Sequence, residues 1–538
     1  MKKKSSFLKQ ASFLMVAGLL VRIIGLLYRT PMKATIGELG YGYYGYAYTV
    51  YNILLLISGY SIPVAVSKLM SERLVKKEYR NAQKVFKGAF VYVCAAGGLA
   101  SLVAFVFAKQ LLPQGAEDAV LALRVLAPTI VLAGILGVLR GYFQANNNMM
   151  PTAISQILEQ IFNAFVSVAA GVILIQSFAG NEDERAIYGA AGGTLGTGVG
   201  VLSGILFMLF VFYVNRRVIK KKLRKDDSVK EETYGDIARV IFHMLTPVIF
   251  STFIYNVSGY IDQSVFSPLM LAKGADAKEI ASMYGLFTGQ AMVLLNIPVA
   301  LANASSTAMM PAVTGDYAVG NIRGARAKID EAIHMTMFIA IPAAVGLAVL
   351  AFPIMELLFA GSPPEAAIML IMGAISVIFY ALSTITNGVL QGIGQQKIPV
   401  RNALLSLVVN ILVLVVLTWF TPLGIYAVLL STVAYSFTMC IVNQLAVRKY
   451  LDYSLQWKDA YLKPFGAAAF MGGIAWICYY GLHLLVPVNI VCLAIAVGVA
   501  ILSYMILFIK FTGVTKEQMR KFPMGGVFIR IGTKIHLW

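Results

Sequence analysis

The chain has 538 residues, 59% of them hydrophobic and 13% charged, and its mean hydropathy of +0.76 excludes a water-soluble globular domain. Its formal net charge of +19 does not point to nucleic acid, because the lysines and arginines gather in alternate loops between long apolar runs. The four cysteines, Cys94, Cys440, Cys478 and Cys492, lie inside those runs without paired spacing, so neither a disulfide framework nor a zinc site is indicated.

Taken from the amino end, Met1-Lys2-Lys3-Lys4 ahead of an apolar run imitates a secretory leader. Arg22 interrupts that run and no clean small-x-small cleavage site follows, so the segment is predicted as a first span. Apolar stretches close to the roughly 20 residues that cross a hydrocarbon layer then recur along the chain. The predicted spans are 7–28, 41–66, 88–108, 121–141, 152–176 and 188–214; after a basic loop come 237–262, 281–304, 333–353, 367–391, 402–420, 424–447, 464–485 and 488–510. The fold class is therefore an all-α polytopic membrane protein of about 14 transmembrane helices. With the amino terminus inside, cytoplasmic segments hold about 34 of the 44 lysines and arginines and outer loops about six, which puts both termini in the cytoplasm.

The chain also echoes itself. Gly137-Val-Leu-Arg-Gly141, then Pro151 and Asn163, is matched by Gly388-Val-Leu-Gln-Gly392, then Pro399 and Asn410. Tyr79-Arg80-Asn81-Ala82 is matched by Ile322-Arg323-Gly324-Ala325 at nearly the same offset. Two pseudo-symmetric six-helix lobes follow: 1–214 (spans 1–6) and 237–447 (spans 7–12), joined by a cytoplasmic basic linker, 215–236. Spans 13 and 14, within 448–511, lie outside the repeat, and 512–538 forms a cytoplasmic tail.

Several polar residues are candidates for function. Arg22 lies mid-span, where an ionised side chain is costly unless it faces protein or a water-filled cavity. It either pairs structurally or lines a cationic cavity that takes an anionic headgroup. Arg29 and Lys33 continue the basic series toward the outer end, and Lys68 sits at the inner end of span 2. Arginine suits phosphate because its planar fork donates two parallel hydrogen bonds. In span 5, Gln156, Glu159, Gln160, Asn163 and Ser167 recur at spacings of three and four and share one helix face. That face reads either as interhelical hydrogen-bond glue or as a cavity lining, with Glu159 neutralising Arg124 or Arg22 or binding a coupling ion. Asn256 and Asp262 near the end of span 7, with Gln290 in span 8, complete the polar candidates; an interfacial place is the first reading of Asp262.

Other signals are structural. Four histidines, among them His243 and His334, lack ligand spacing, so no metal site is expected. The run Gly189 to Gly200 follows no strand and lacks Gly-Lys-Ser/Thr; small residues four apart are read as close helix packing. The series Tyr41, Tyr43, Tyr44, Tyr46 and Tyr48 is read first as an aromatic belt at the outer interface, with carbohydrate stacking by a few of them as the alternative. No Walker motif and no paired catalytic carboxylates are present, so an enzyme is not expected. No cofactor is expected beyond a coupling cation or the membrane potential.

Arg22-Ile-Ile-Gly25, Ile62-Pro-Val-Ala-Val-Ser-Lys68-Leu-Met-Ser-Glu72 and the Gly137 to Asn163 segment with its echo resemble the multidrug/oligosaccharidyl-lipid/polysaccharide exporter superfamily. Within it the chain is similar to the stage V sporulation protein B and polysaccharide flippase branch, related to the lipid II flippases. The resemblance implies two six-helix lobes around a central cavity, with two added helices forming a groove for a polyprenyl tail. It also implies first-span arginines that meet the cargo. Arg22 matches by its Arg-apolar-apolar-Gly setting, and Arg29 follows seven residues later where the family has six. Lys68 stands where those proteins carry an arginine near the end of span 2, and their span 8 arginine has no counterpart between Tyr284 and Ala304.

The leading expectation is a flippase in a bacterial cytoplasmic membrane that moves a polyprenyl-pyrophosphate-linked saccharide outward by alternating access. A peptidoglycan precursor such as lipid II or another polysaccharide unit would be the cargo. Expected partners are this lipid-linked saccharide, membrane lipids and cell-envelope synthesis proteins, with no nucleic acid. The main alternative is a multidrug/organic-cation antiporter of the same superfamily, which needs membrane-embedded acids. A membrane enzyme or assembly scaffold is the more distant one.

Overall fold

The structure, a computed structural model, describes residues 17–18, 20–56, 59, 62–146, 148–224, 226, 231–520 and 525–534. Among the described residues every regular element is a helix, as a chain must be that satisfies its backbone polar groups inside hydrocarbon without closing a barrel. Eleven helices among them are long and apolar enough to cross a membrane, from Tyr79–Val106 to Asn489–Thr512. Each falls on a predicted span.

The other three predicted spans look different. The first begins outside the described residues, and residues 20–27 are helical. The second, 41–66, falls on two helices, Arg29–Leu55 and Ile62–Val75. Arg29, Lys33, Glu38 and a tyrosine-glycine series dilute the apolar character of the former, and Gly37 bends it at φ 72, a conformation open to glycine because it has no Cβ. The third, 237–262, is split at Val257 into Tyr234–Asn256 and Ser258–Ala272.

The chain divides into two compact units, Met1–Gly285 and Leu286–Trp538; the π turn Phe287–Ala291 begins just after the boundary. In the first unit, Met150–Phe178 and Glu182–Val214 pack along the glycine run. A methyl group on Gly192 would lie 2.5 Å from Gly171 Cα, and one on Gly200 would lie 2.5 Å from Glu159 O. The run is thus a packing surface, and only residues without a side chain permit so close an approach. Gly137 and Gly141 of the Val120–Ala145 helix likewise lie against Pro63 and Val66. Around them Ile62, Val66, Leu139, Tyr142, Met208 and Ile241 share one buried apolar cluster.

Acidic residues of the 215–236 segment fold back on the same unit. Glu232 takes a forked pair of hydrogen bonds from Arg73, 3.0 Å from Nε and 2.7 Å from Nη2. Glu231 accepts from Arg80 and Lys84 at 3.0 Å each. The Lys84 ammonium first, then the Arg80 guanidinium, hold the Glu231 carboxyl below its ordinary range. Thr233 and Asp236 then form a capping box that starts the next helix. A segment predicted simply as basic therefore carries an acidic clasp.

The second unit shows the counterparts of the sequence echoes. Tyr79–Val106 and Ile322–Val349 both have 28 residues and begin at the matched tetrapeptides, after cap residues with ψ of 67 and 71. Gly388 and Gly392 of Pro364–Gly392 receive Ser306, Met310 and Thr314 of the Met292–Ala318 helix, as Gly137 and Gly141 receive Pro63 and Val66. Asn402 donates to Asn443 at 2.9 Å and Asn443 to Asn387 at 2.7 Å, a buried amide chain joining three helices. Lys463–Leu485 pairs with Asn489–Thr512 and packs on Ile322–Val349.

Candidate substrate-binding site

The first unit brings the leading cation and the polar face of Met150–Phe178 together. Hydrogen bonds from Tyr28 N to Ile24 O and from Met32 N to Tyr28 O carry the 20–27 helix into Arg29–Leu55 with little interruption. Seven residues are then two turns less about 20°, so Arg22 and Arg29 lie on one stripe. Gly25, between them on that stripe, lies against the Gln160 amide; a Cβ there would be 3.4 Å from Nε2. The stripe therefore faces the span 5 side chains.

Arg22 is exposed, and among the described residues no carboxylate pairs with it. Arg29 is half-buried by its side-chain surface and lies within electrostatic reach of Tyr41, Tyr28, Tyr44 and Tyr48. Tyr44 stacks on Tyr48 at 5.2 Å, and Tyr48 meets Tyr51 at 5.4 Å. Four of the five tyrosines do not face an interface: Tyr41, Tyr43, Tyr44 and Tyr46 are buried, and Tyr48 is half-buried. Gly40 and Gly42 let their helix press against the Ala186 and Ala281 backbones, and that close approach covers the rings.

The polar face of span 5 serves two purposes. Ser167 Oγ donates to Gly193 O of the next helix at 2.8 Å and lies 3.0 Å from Asn163 Oδ1 on its own helix, all buried, so Ser167 ties the two helices together. Glu159 accepts from Arg140 Nη2 at 2.6 Å, and Arg140 Nε donates to Ser155 Oγ at 2.9 Å. The partner of Glu159 is therefore neither Arg124 nor Arg22. Arg124 sits 16 residues before Arg140 on the same helix, about 24 Å away along its axis. There it is exposed, donating to Phe105 O at 3.3 Å with its guanidinium 5.7 Å from the Phe105 ring. Gln156 and Gln160 remain half-buried beside Glu159.

The remaining predicted residues have settings of their own. Lys33 is buried and pairs with Glu38 at 3.5 Å. Lys68 is exposed on the Ile62–Val75 helix. Asn256 is exposed and donates to Thr252 O at 2.7 Å. Asp262 is buried, 5% exposed, on the Ser258–Ala272 helix, which packs on Arg29–Leu55. It lies within electrostatic reach of Tyr284, whose ring stacks on Tyr46 at 4.5 Å. Gln290 belongs to the second unit, where its amide oxygen accepts from Ser362 Oγ at 2.8 Å.

Sequence reasoning missed Arg140. It stands in the quoted Gly137-Val-Leu-Arg-Gly141 motif, where its counterpart in the echo is Gln391; that charge difference between otherwise matched motifs was the available signal. Among the described residues no group of three or more His, Cys, Asp or Glu could hold a metal ion.

A multi-pass chain whose described regular elements are all helices, arranged in repeated pairs, has the architecture of a membrane transporter. The polysaccharide biosynthesis protein family matches residues 7–315, and the chain belongs to it, on the flippase branch of the multidrug/oligosaccharidyl-lipid/polysaccharide exporter superfamily. The MatE family also matches residues 247–416. The chain is 27% identical to stage V sporulation protein B of Bacillus subtilis (strain 168), over 98% of this chain and 99% of that protein. It is 25% identical to the lipid II flippase MurJ of the same organism, over 76% of each. Among solved structures it resembles a lipid II flippase MurJ in an inward closed conformation, with TM-score 0.64 and 17% identity over 93% of this chain and 98% of that one. It also resembles an inward-facing multidrug resistance MATE family transporter, with TM-score 0.62 and 17% identity over 83% and 98%.

Proposed function

We propose that this protein moves a polyprenyl-pyrophosphate-linked saccharide, a peptidoglycan precursor such as lipid II or another polysaccharide unit, from the inner to the outer leaflet by alternating access. The observation that carries this reading is the Arg22–Gly25–Arg29 stripe against Gln160, with the Arg29 end set among tyrosines. Arginine forks suit the pyrophosphate, while phenol rings and amides suit a sugar, whose faces are apolar and whose edges are hydroxylated. Lys68 would meet the headgroup at the other end of the path. Membrane lipids and cell-envelope synthesis proteins are the partners this reading implies.

A largely apolar pocket of about 330 Å³ lined by Ile341, Ile378, Trp457, Lys458, Tyr461, Leu462 and Phe465 lies within the second unit, at the start of Lys463–Leu485. It supports a role for span 13 in holding the lipid tail. Fourteen spans in two six-helix lobes and a final pair, with both termini in the cytoplasm, complete the proposal. Transport rather than catalysis is inferred, driven by a coupling cation or the membrane potential.

The antiporter reading is weakened by one contact: Glu159, the clearest embedded acid, already neutralises Arg140. Reconstitution decides between them. Outward movement of a lipid-linked saccharide in proteoliposomes is expected; drug efflux driven by sodium or protons without any such movement would overturn the proposal.

A further inference from the structure

The helix Arg216–Leu223 follows the Glu182–Val214 span after a single residue and buries none of its own side chains. The exposed apolar stripe of that span, Leu202, Leu206, Leu209, Phe210 and Tyr213, runs directly into exposed Val218 on the short helix. Lipid-facing surface thus continues from the span onto the helix. Ile219 packs on the apolar cluster of the first unit, and Lys222 Nζ donates to Asn146 Oδ1 at 2.8 Å. These two anchors fix which way the helix is turned. The Arg216 guanidinium lies 4.1 Å from the centre of the Tyr213 ring, a cation held at the level of an amphipathic aromatic.

Among the described residues the acids of the following segment are committed elsewhere. Asp226, Glu231 and Glu232 all bond to Arg73, Arg80 or Lys84. Among the described residues no carboxylate pairs with Arg216, Arg217, Lys220, Lys221 or Arg224. A helix whose Arg216, Arg217, Lys220 and Lys221 have no carboxylate partner among the described residues, turned by its anchors and continuous with lipid-facing surface, is built to meet negative charge lying in the plane of the membrane.

We infer that Arg216–Leu223 is a docking surface for anionic phospholipid headgroups, phosphatidylglycerol in chemical class. Under the proposed orientation these belong to the inner leaflet. The inference needs only the membrane setting, not the proposed cargo.

The test uses the full chain in phosphatidylcholine vesicles doped with spin-labelled phosphatidylglycerol or spin-labelled phosphatidylcholine, and reads the motionally restricted fraction of each. The wild-type protein is expected to prefer the anionic probe by about fivefold, and about 0.5 M salt should remove most of that preference. The variant R217Q/K220Q/K221Q should lose most of it, whereas R323Q/K397Q/R401Q, which removes the same charge from the starts of two other helices, should keep it. Absence of preference in the wild type would overturn the inference. So would a preference that persists in high salt, or equal losses in the two triple variants. The salt titration uses only wild-type protein, so the test stands even if a variant fails to fold.

Discussion

Arg140 and Glu159 form an ion pair at 2.6 Å between the Val120–Ala145 and Met150–Phe178 helices, and Arg140 Nε also donates to Ser155 Oγ at 2.9 Å. Two charges inside a membrane protein are tolerable because each removes the desolvation problem of the other. The matched position in the second unit is Gln391, so the pair distinguishes the two halves of the repeat.

Removing one member leaves the other charge uncompensated. Glu159→Gln is expected to destabilise the protein by about 2–3 kcal/mol, below the roughly 3–5 of a fully buried pair because Glu159 keeps some contact with solvent. The double change Arg140→Gln with Glu159→Gln should recover most of the loss. Thermal unfolding in detergent checks both. Equal instability of single and double variants would show that packing, not charge, is responsible.

Arg22→Ala is expected to abolish complementation of a flippase-depleted strain at normal expression, because a cation on the stripe would be gone. Arg22→Lys should keep part of the function, since lysine supplies charge without the two-pronged fork. Arg29→Lys should be more damaging than Arg22→Lys, because Arg29 is set among tyrosines that accommodate a planar group. Undiminished function in Arg22→Ala would remove the cationic stripe from the mechanism.

The acidic clasp predicts a pH dependence of local order. The folded-state carboxyl of Glu231 is depressed by Lys84 and Arg80. Its contribution is therefore present above the ordinary glutamate value of 4.5 and is lost as pH falls below it through the depressed folded value. Backbone amides around Glu231–Asp236 should be protected from hydrogen exchange at neutral pH and exposed in acid. Glu232→Ala, which removes the forked bond to Arg73, should expose the same amides at neutral pH.

Glycine packing predicts a steric effect. Gly192→Ala places a methyl group against Gly171, and such overpacking costs about 1–3 kcal/mol. Gly98→Ala, where nothing lies within 4 Å of the added carbon, should be neutral or slightly stabilising because alanine favours the helix. Comparing their unfolding temperatures checks the contrast.

The membrane class, the positions of eleven spans, the helix starts of the internal echo and the small-residue packing run were all legible in the amino-acid sequence. Each depends on composition over a turn or more of local chain: apolar length, basic loops, and glycine at helical spacing. Even the Arg22–Arg29 stripe follows from spacing once the helix is continuous. Partner choice was not legible. Glu159 selects Arg140 rather than Arg22 or Arg124, four of the five tyrosines turn inward rather than toward an interface, and Asp262 is buried. These outcomes depend on which faces of neighbouring helices meet. A shift of one residue turns a side chain by about 100° around its helix, so only the packed tertiary structure decides them.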